Sequence, residues 1–287
     1  MRRMESRVAN YIHRGKFYVE GWLRTEAALV VATLSERQRA LGVGGGVAEI
    51  GVHHGKLFIL LYLLSRAPER AVAVDLFADQ HLNVDLSGSG DLAKFRRNLL
   101  RHADDARLVL HQGNSMALSG AELVRLAGGP LRFVSVDGGH TAELTAHDLA
   151  VADAALAEGG IIVLDDAFNE QWPGVADGLQ RHFARRPNLV PFAIGANKTY
   201  FCRPSHRDAY RAAAAAVASD TTMPEFLGEP VAFLHFTRPG LRDRLKEGVA
   251  ASPAWRRLRT TPVGLPLRWA WHTARTLRRG LARREDF

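Results

Sequence analysis

At 287 residues and 47% apolar side chains, the chain can bury a sizeable core, as one large domain or a domain with appendages. Its formal net charge of +8 is concentrated behind Ala254, where Arg recurs and no acid appears before Glu285, so no nucleic-acid partner is expected for the body of the chain. The single cysteine, Cys202, excludes an intrachain disulfide and fits a reducing compartment. The basic N-terminus lacks the apolar run of a signal peptide. The longest apolar run, Leu57–Leu64, falls far short of the about 20 residues that span a bilayer, and a cytoplasmic protein is expected.

Residues 17–40 read as a short arm through Gly21-Trp22-Leu23 and then a helix with Thr25 as its N-cap. The arm packs against a sheet edge or, in the alternative, lies over a ligand as a lid. Gly42–Gly46 ends it, and Val47–Ile50 is the first strand. Gly51-Val-His-His-Gly55 follows, with an apolar helix from Lys56 to Ser65. A strand, a glycine turn and a helix N-terminus make a site for a polar ligand, because glycines let backbone N–H groups approach it. The pattern is G-x-x-x-G, with Glu49 just ahead of it. His53 and His54 read as turn or cap residues rather than metal ligands.

Ala71–Leu76 is the second strand and carries Asp75 near its end, where an acid commonly takes the ribose hydroxyls of a nucleoside ligand. The polar, Gly/Ser-punctuated stretch from Phe77 to Asp91 is longer than an ordinary connection, so a functional loop is expected, with a helix resuming near Asp91. Arg107–His111 is the third strand. Asn114-Ser115 behind it reach the same crevice or form a plain turn.

Residues 131–136 and 160–164 are short apolar runs suited to strands buried on both faces of a parallel sheet. Between them, Thr141 to Glu158 has helical periodicity, with Gly159-Gly160 as a stop. The unit is β-α-β with a right-handed crossover, so its two strands point the same way. One ends in Asp137 and the other in Asp165-Asp166. Ligands of such sheets bind at the carboxyl ends of strands, so three carboxylates and His140 are aimed at one crevice. Carboxylate oxygens suit a hard divalent cation such as Mg²⁺, and a neutral His can take a proton near pH 7.

Beyond them, a loop broken by Pro173 leads into a helix to about Ala184. Leu189–Ile194 and Thr199–Arg203 form a terminal antiparallel hairpin. Residues 206–218 read as an Ala-rich helix, and Val231–Phe236 as a strand or edge segment. The Arg/Trp-rich tail carries Trp255, Trp269 and Trp271. It reads as an amphipathic surface helix that touches anionic membrane or an acidic partner, or as a disordered basic tail. The expected division is a helical arm over 1–40, a core over 41–204, an elaboration over 205–250 and the basic tail over 251–287.

Seven strands alternating with helices, E-I-G-x-x-x-G after the first and an acid after the second, resemble the class I S-adenosylmethionine-dependent methyltransferases. The resemblance implies a Rossmann-like, doubly wound α/β sheet of seven strands, parallel except for the last. It implies Glu49, Gly51 and Gly55 beside the methionine part of the cofactor, Asp75 on the ribose, and Asn114 and Ser115 near the adenine. V-D-G-G-H at 136–140 with L-D-D at 164–166 is similar to the macrocin and mycinamicin O-methyltransferase group, with its cephalosporin hydroxylase-like relatives. Gly21-Trp22-Leu23 also fits. That likeness implies Mg²⁺ held by Asp137, Asp165 and Asp166, with Asp137 also toward the cofactor and His140 as the base. The implied acceptor is a hydroxylated small molecule such as a sugar or glycoside. The first turn, His54-Gly55-Lys56-Leu57, departs from the aromatic-G-R-S-T usual in the group. A metal-dependent hydrolase using the same acids and a non-catalytic protein of the same fold are the competing readings, and a homo-oligomer is left open.

Overall fold

The computed structural model describes residues 5–236; the expected basic tail over 251–287 lies outside them. The chain runs α1 (Ser6–His13), α2 (Thr25–Ala40), β1 (Gly46–Ile50), α3 (Phe58–Leu64), β2 (Ala71–Asp75), α4 (Leu92–Leu100), β3 (Leu108–Gln112) and α5 (Gly120–Ala127). It continues through β4 (Leu131–Val136), α6 (Ala142–Ala155), β5 (Leu156–Asp165), α7 (Pro173–Phe183), β6 (Val190–Gly195), β7 (Lys198–Cys202) and α8 (Arg207–Ala215). Four short strands close the described part: β8 (Asp220–Thr222), β9 (Glu225–Phe226), β10 (Glu229–Pro230) and β11 (Ala232–His235).

The main sheet has the order β3-β2-β1-β4-β5-β7-β6-β11-β8. Strands β1 to β5 pair in parallel, and β7 enters antiparallel between β5 and β6. The order reverses between β1 and β4, the place where open α/β sheets bind ligands. The sequence implied seven strands; the sheet has nine among the described residues. The extra pair arises because β6 is not an edge. Its outer side takes β11 in parallel at Ala232↔Ala193, and β11 takes β8 antiparallel at Phe233↔Thr222.

Period-2 alternation divides the apolar residues between the two faces. Val47, Ala71, Ala73, Phe133, Ile161 and Val163 face a core completed by α1, α2, α3, α4 and α8. Ala48, Ile50, Val72, Val74, Val134 and Ile162 face a second core under α5, α6 and α7. The N-terminal helices are thus part of the first core: Val8, Tyr11 and Ile12 of α1 are buried in it. Arg132, 1% exposed, ties α2 to the sheet through Ser35, Gln38 and Glu69.

Helix starts follow local capping. Asp91 accepts from Lys94 N–H, Ser119 from Glu122 N–H and Thr141 from Leu144 N–H. Two expectations are corrected. Thr25 is the first residue of α2 rather than its cap, and Arg24 in the cap position makes no side-chain cap bond. Gly159-Gly160 does not stop α6, which ends at Ala155; the pair lies inside β5, where the register against β4 shifts. A Cβ on Gly159 would sit 2.4 Å from Val43 Cγ2, and its carbonyl accepts from Gln38 and Tyr210. Close backbone approach, not chain termination, requires glycine there. Among the described residues no helix is long and apolar enough to cross a membrane.

Candidate active site

The carboxyl ends of the parallel strands open into one cavity of about 370 Å³. Ile50-Gly51 after β1, Asp75 at the end of β2, Gly113-Asn114-Ser115 after β3, Asp137 to His140 after β4 and Asp165-Asp166 at the end of β5 all line it. Residues 80–90 of the long loop supply one wall, and Trp22 stands at the mouth.

Gly51 has φ +88°, and a Cβ there would lie 1.9 Å from the Asp137 carbonyl oxygen. This is the position at which the β1 turn must pass against the β4 turn, and only glycine fits. Asp75 accepts from His53 N–H at 2.6 Å and Phe77 N–H at 2.7 Å, so it holds both neighbouring turns while lining the cavity. Burial raises its pKa against those bonds. Burial and the adjacent His54 lower the His53 pKa to about 4, so the ring is neutral. Glu49 and Gly55 do not line the cavity. Glu49 is 2% exposed beneath it, its pKa well raised by burial, and Gly55 backs onto Phe95. Asn114 caps the turn at Met116 and, with Ser115, reaches the cavity.

Asp165 and Asp166 are neighbours in sequence, and an extended strand would send them to opposite faces. Asp166 has φ +61°, left-handed backbone that turns its carboxylate inward. The β6–β7 turn fixes both acids. Ala196 and Asn197 have φ +53° and +70°, as a tight hairpin turn requires. Asn197 Nδ2 donates to Asp165 Oδ1 at 2.9 Å and to Asp166 Oδ1 at 2.8 Å. Lys198, the next residue, is 3% exposed; its ammonium pairs with Asp165 and lies 3.8 Å from Asp137 Oδ2. Burial disfavours that ammonium, but the charges of Asp165 and Asp137 outweigh it and raise its pKa.

His140 is held on both sides. Its backbone N–H donates to Asp85 Oδ2 at 2.5 Å, Nδ1 lies 3.0 Å from the same oxygen, and Nε2 lies 3.3 Å from Asp166 Oδ2. The ring stacks on Trp172 with centroids 4.3 Å apart. Burial works against the imidazolium, but hydrogen bonds with Asp166 and Asp85 win and raise its pKa. Burial likewise opposes the Asp166 charge, yet hydrogen bonds from His140, Asn197 and Asn169 bring its pKa down to about 2. Burial and the Asp165 charge push Asp137 up, with Lys198 opposing.

Ligand atoms of Asp137, His140 and Asp166 lie within 4.8 Å of one another. The sequence grouped Asp165 with Asp137 and Asp166 as cation ligands. In the structure Asp165 is committed to Lys198, and His140 completes the close trio instead. Sequence reasoning missed Asp85, Trp172, Asn197 and Lys198. Asp85 lay in a loop flagged only for its length. Asn197 was the one with a local signal, since Asn tolerates the left-handed turn conformation.

Residues 48–167 match the family model described as a methyltransferase domain. The structure of the O-methyltransferase NovP is similar, with a TM-score of 0.51 and 17% identity over 61% of this chain and 78% of that one. CalS11, a TDP-rhamnose 3'-O-methyltransferase of calicheamicin biosynthesis, gives 0.49 and 17% over 68% and 86%. MycE, solved with Mg and SAH, gives 0.45 and 18% over 70% and 55%. No curated protein matches the chain. At these identities the structural likeness speaks to the fold, and the family match speaks to the domain that occupies it. The strand order, the site at its reversal point and the match over residues 48–167 make this chain the bearer of a class I S-adenosylmethionine-dependent methyltransferase domain.

Proposed function

We propose that the protein is an O-methyltransferase that moves the methyl group of S-adenosylmethionine to a hydroxyl of a small molecule, with a divalent cation, Mg²⁺ by chemistry, at Asp137 and Asp166. The observation that carries the reading is the convergence of Asp137, His140 and Asp166 on the cavity that Gly51 and Asp75 also line. The residues fit the cofactor: Asp75 offers carboxylate oxygens to ribose hydroxyls, Gly51 offers close backbone beside the methionine part, and Asn114 and Ser115 bound the far side. They also fit a hard cation, which takes carboxylate oxygens in preference to imidazole.

Bound in this cavity, the cofactor supplies an electrophilic methyl group, and the cation supplies positive charge that makes a hydroxyl more acidic. The chain's own residues do the rest. Asp85 accepts from Nδ1–H of His140, which leaves Nε2, on the Asp166 side, as the atom that takes the acceptor's proton. Trp172 fixes the ring plane, and Lys198 holds Asp165 so that Asp166 alone of the pair is presented. Positioning and charge stabilisation account for most of the rate in such a step.

Calorimetry with S-adenosylmethionine and with Mg²⁺ should show that each binds. Asp137→Ala should abolish Mg²⁺ binding and turnover together. His140→Ala should keep cofactor binding and lose turnover by ~10²–10⁴-fold, the usual worth of a general base. Methyl transfer that persists in protein shown to be metal-free would remove the cation and leave His140 with the acids as hydrogen-bonding groups.

A further inference from the structure

Acceptor identity is written in the cavity's charge and in its rim. Among the described residues, the cavity lining contains Asp75, Asp85, Asp137, Asp165 and Asp166 and no Lys or Arg. Lys198 sits behind the wall and is already committed to Asp165 and Asp137. A cation held by Asp137 and Asp166 is balanced by those same carboxylates. A phosphate or diphosphate entering here therefore meets acids on several sides and finds no guanidinium or ammonium to pair with, and an unpaired charge taken out of water is costly.

The mouth has the opposite character. Trp22 is 71% exposed, Val84 70% and Leu82 39%, yet all three line this one cavity. They come from two unconnected segments, Trp22 from the arm before α2 and Leu82 and Val84 from the loop between β2 and α4. Large apolar side chains gathered at a cavity mouth mark a surface that a ligand covers.

We propose that the acceptor is an uncharged or cationic amphipathic molecule, its hydroxyl in the acidic interior and its apolar part on Trp22, Leu82 and Val84, and that phosphorylated or nucleotide-linked acceptors are excluded. The proposal rests on the O-methyltransferase reading. It also fixes an order: where the acceptor is a sugar, the sugar has already left its nucleotide carrier and been joined to an apolar aglycone when this protein acts.

The test supplies the protein with methyl-labelled S-adenosylmethionine and a small-molecule extract of its source cells, and separates the products by solvent extraction and anion exchange. Label in neutral or basic, solvent-extractable products is the expected result. Label retained on the anion exchanger and released by phosphodiesterase overturns the proposal while leaving the methyltransferase reading intact. Absence of S-adenosylhomocysteine formation with every fraction counts against the underlying reading. A direct titration of S-adenosylhomocysteine-loaded protein decides the acceptor class independently of turnover. Octyl glucoside below its micelle concentration should bind at least tenfold more tightly than thymidine diphosphate glucose, and equal or reversed affinities refute the proposal. Trp22→Ala should weaken octyl glucoside on the order of tenfold, as loss of apolar contact area implies, without changing S-adenosylhomocysteine affinity. An unchanged octyl glucoside affinity removes the rim from the acceptor site.

Discussion

Lys198 shows how one side chain organises several charges. Its ammonium is buried between Asp165 and Asp137, and Glu49 lies close enough to feel it. A buried pair is weak evidence for stability, but removing one partner strands the other. Lys198→Met should therefore cost ~3–5 kcal/mol in urea unfolding at neutral pH, and a midpoint equal to that of the wild type would mean that water already reaches Asp165. Asp148 of α6 is a buried acid of another kind. Burial raises its pKa from an ordinary 3.8 to about 6, with Ser115 and His147 offsetting part of the shift. The folded protein then holds the Asp148 proton more tightly than the unfolded chain does. That contribution to stability is complete below about pH 4 and is lost as pH rises through about 6, a change worth about 3 kcal/mol. Asp148→Asn should flatten this slope, so unfolding midpoints of the two proteins should diverge between pH 4 and 7 in favour of the variant. Parallel curves would mean that Asp148 titrates as an ordinary exposed acid.

Among the elements, the turns after the strands matter more than the strands. The β1 turn passes so near the β4 turn that Gly51 has no room for a side chain. Gly51→Ala should force the two strand ends apart, lowering the melting temperature and weakening Mg²⁺ binding at Asp137 together, readable by calorimetry on one sample. A variant with normal metal affinity would show that the β4 turn positions Asp137 without help from β1. The β6–β7 hairpin is the second such device, because its two left-handed residues deliver Asn197 and then Lys198 to the acids at the end of β5. The G-A-N-K turn was legible as a hairpin from its residues. What it reaches was not, since β5 and β7 become neighbours only in the assembled sheet.

At the scale of the molecule, α1 and α2 complete one core, so the arm is built into the fold while its Trp22 stands at the cavity. The basic tail behind residue 250 makes a separate prediction from composition alone. A chain ended at 250 should keep S-adenosylmethionine binding and lose affinity for anionic lipid vesicles, since clustered Arg with interspersed Trp favours such surfaces. Loss of methyl transfer to a soluble acceptor in that chain would assign the tail to the catalytic unit instead.

By itself the sequence determined the alternation of strands and helices, the β-α-β unit from 131 to 165, and the set of strand-end acids, because period-2 and helical periodicity and capping residues are local signals. The same local character explains its misreadings. Gly159-Gly160 resembles a helix stop until Val43 is seen against it, and β6 looks terminal until β11 pairs with its outer side. Only the tertiary structure decided which acids face one another. Asp165 goes to Lys198, Asp166 turns inward on left-handed backbone, and Asp85 crosses from a distant loop to His140. Those partnerships depend on side-chain direction and on contacts between segments 33 to 55 residues apart, and no short-range pattern encodes them.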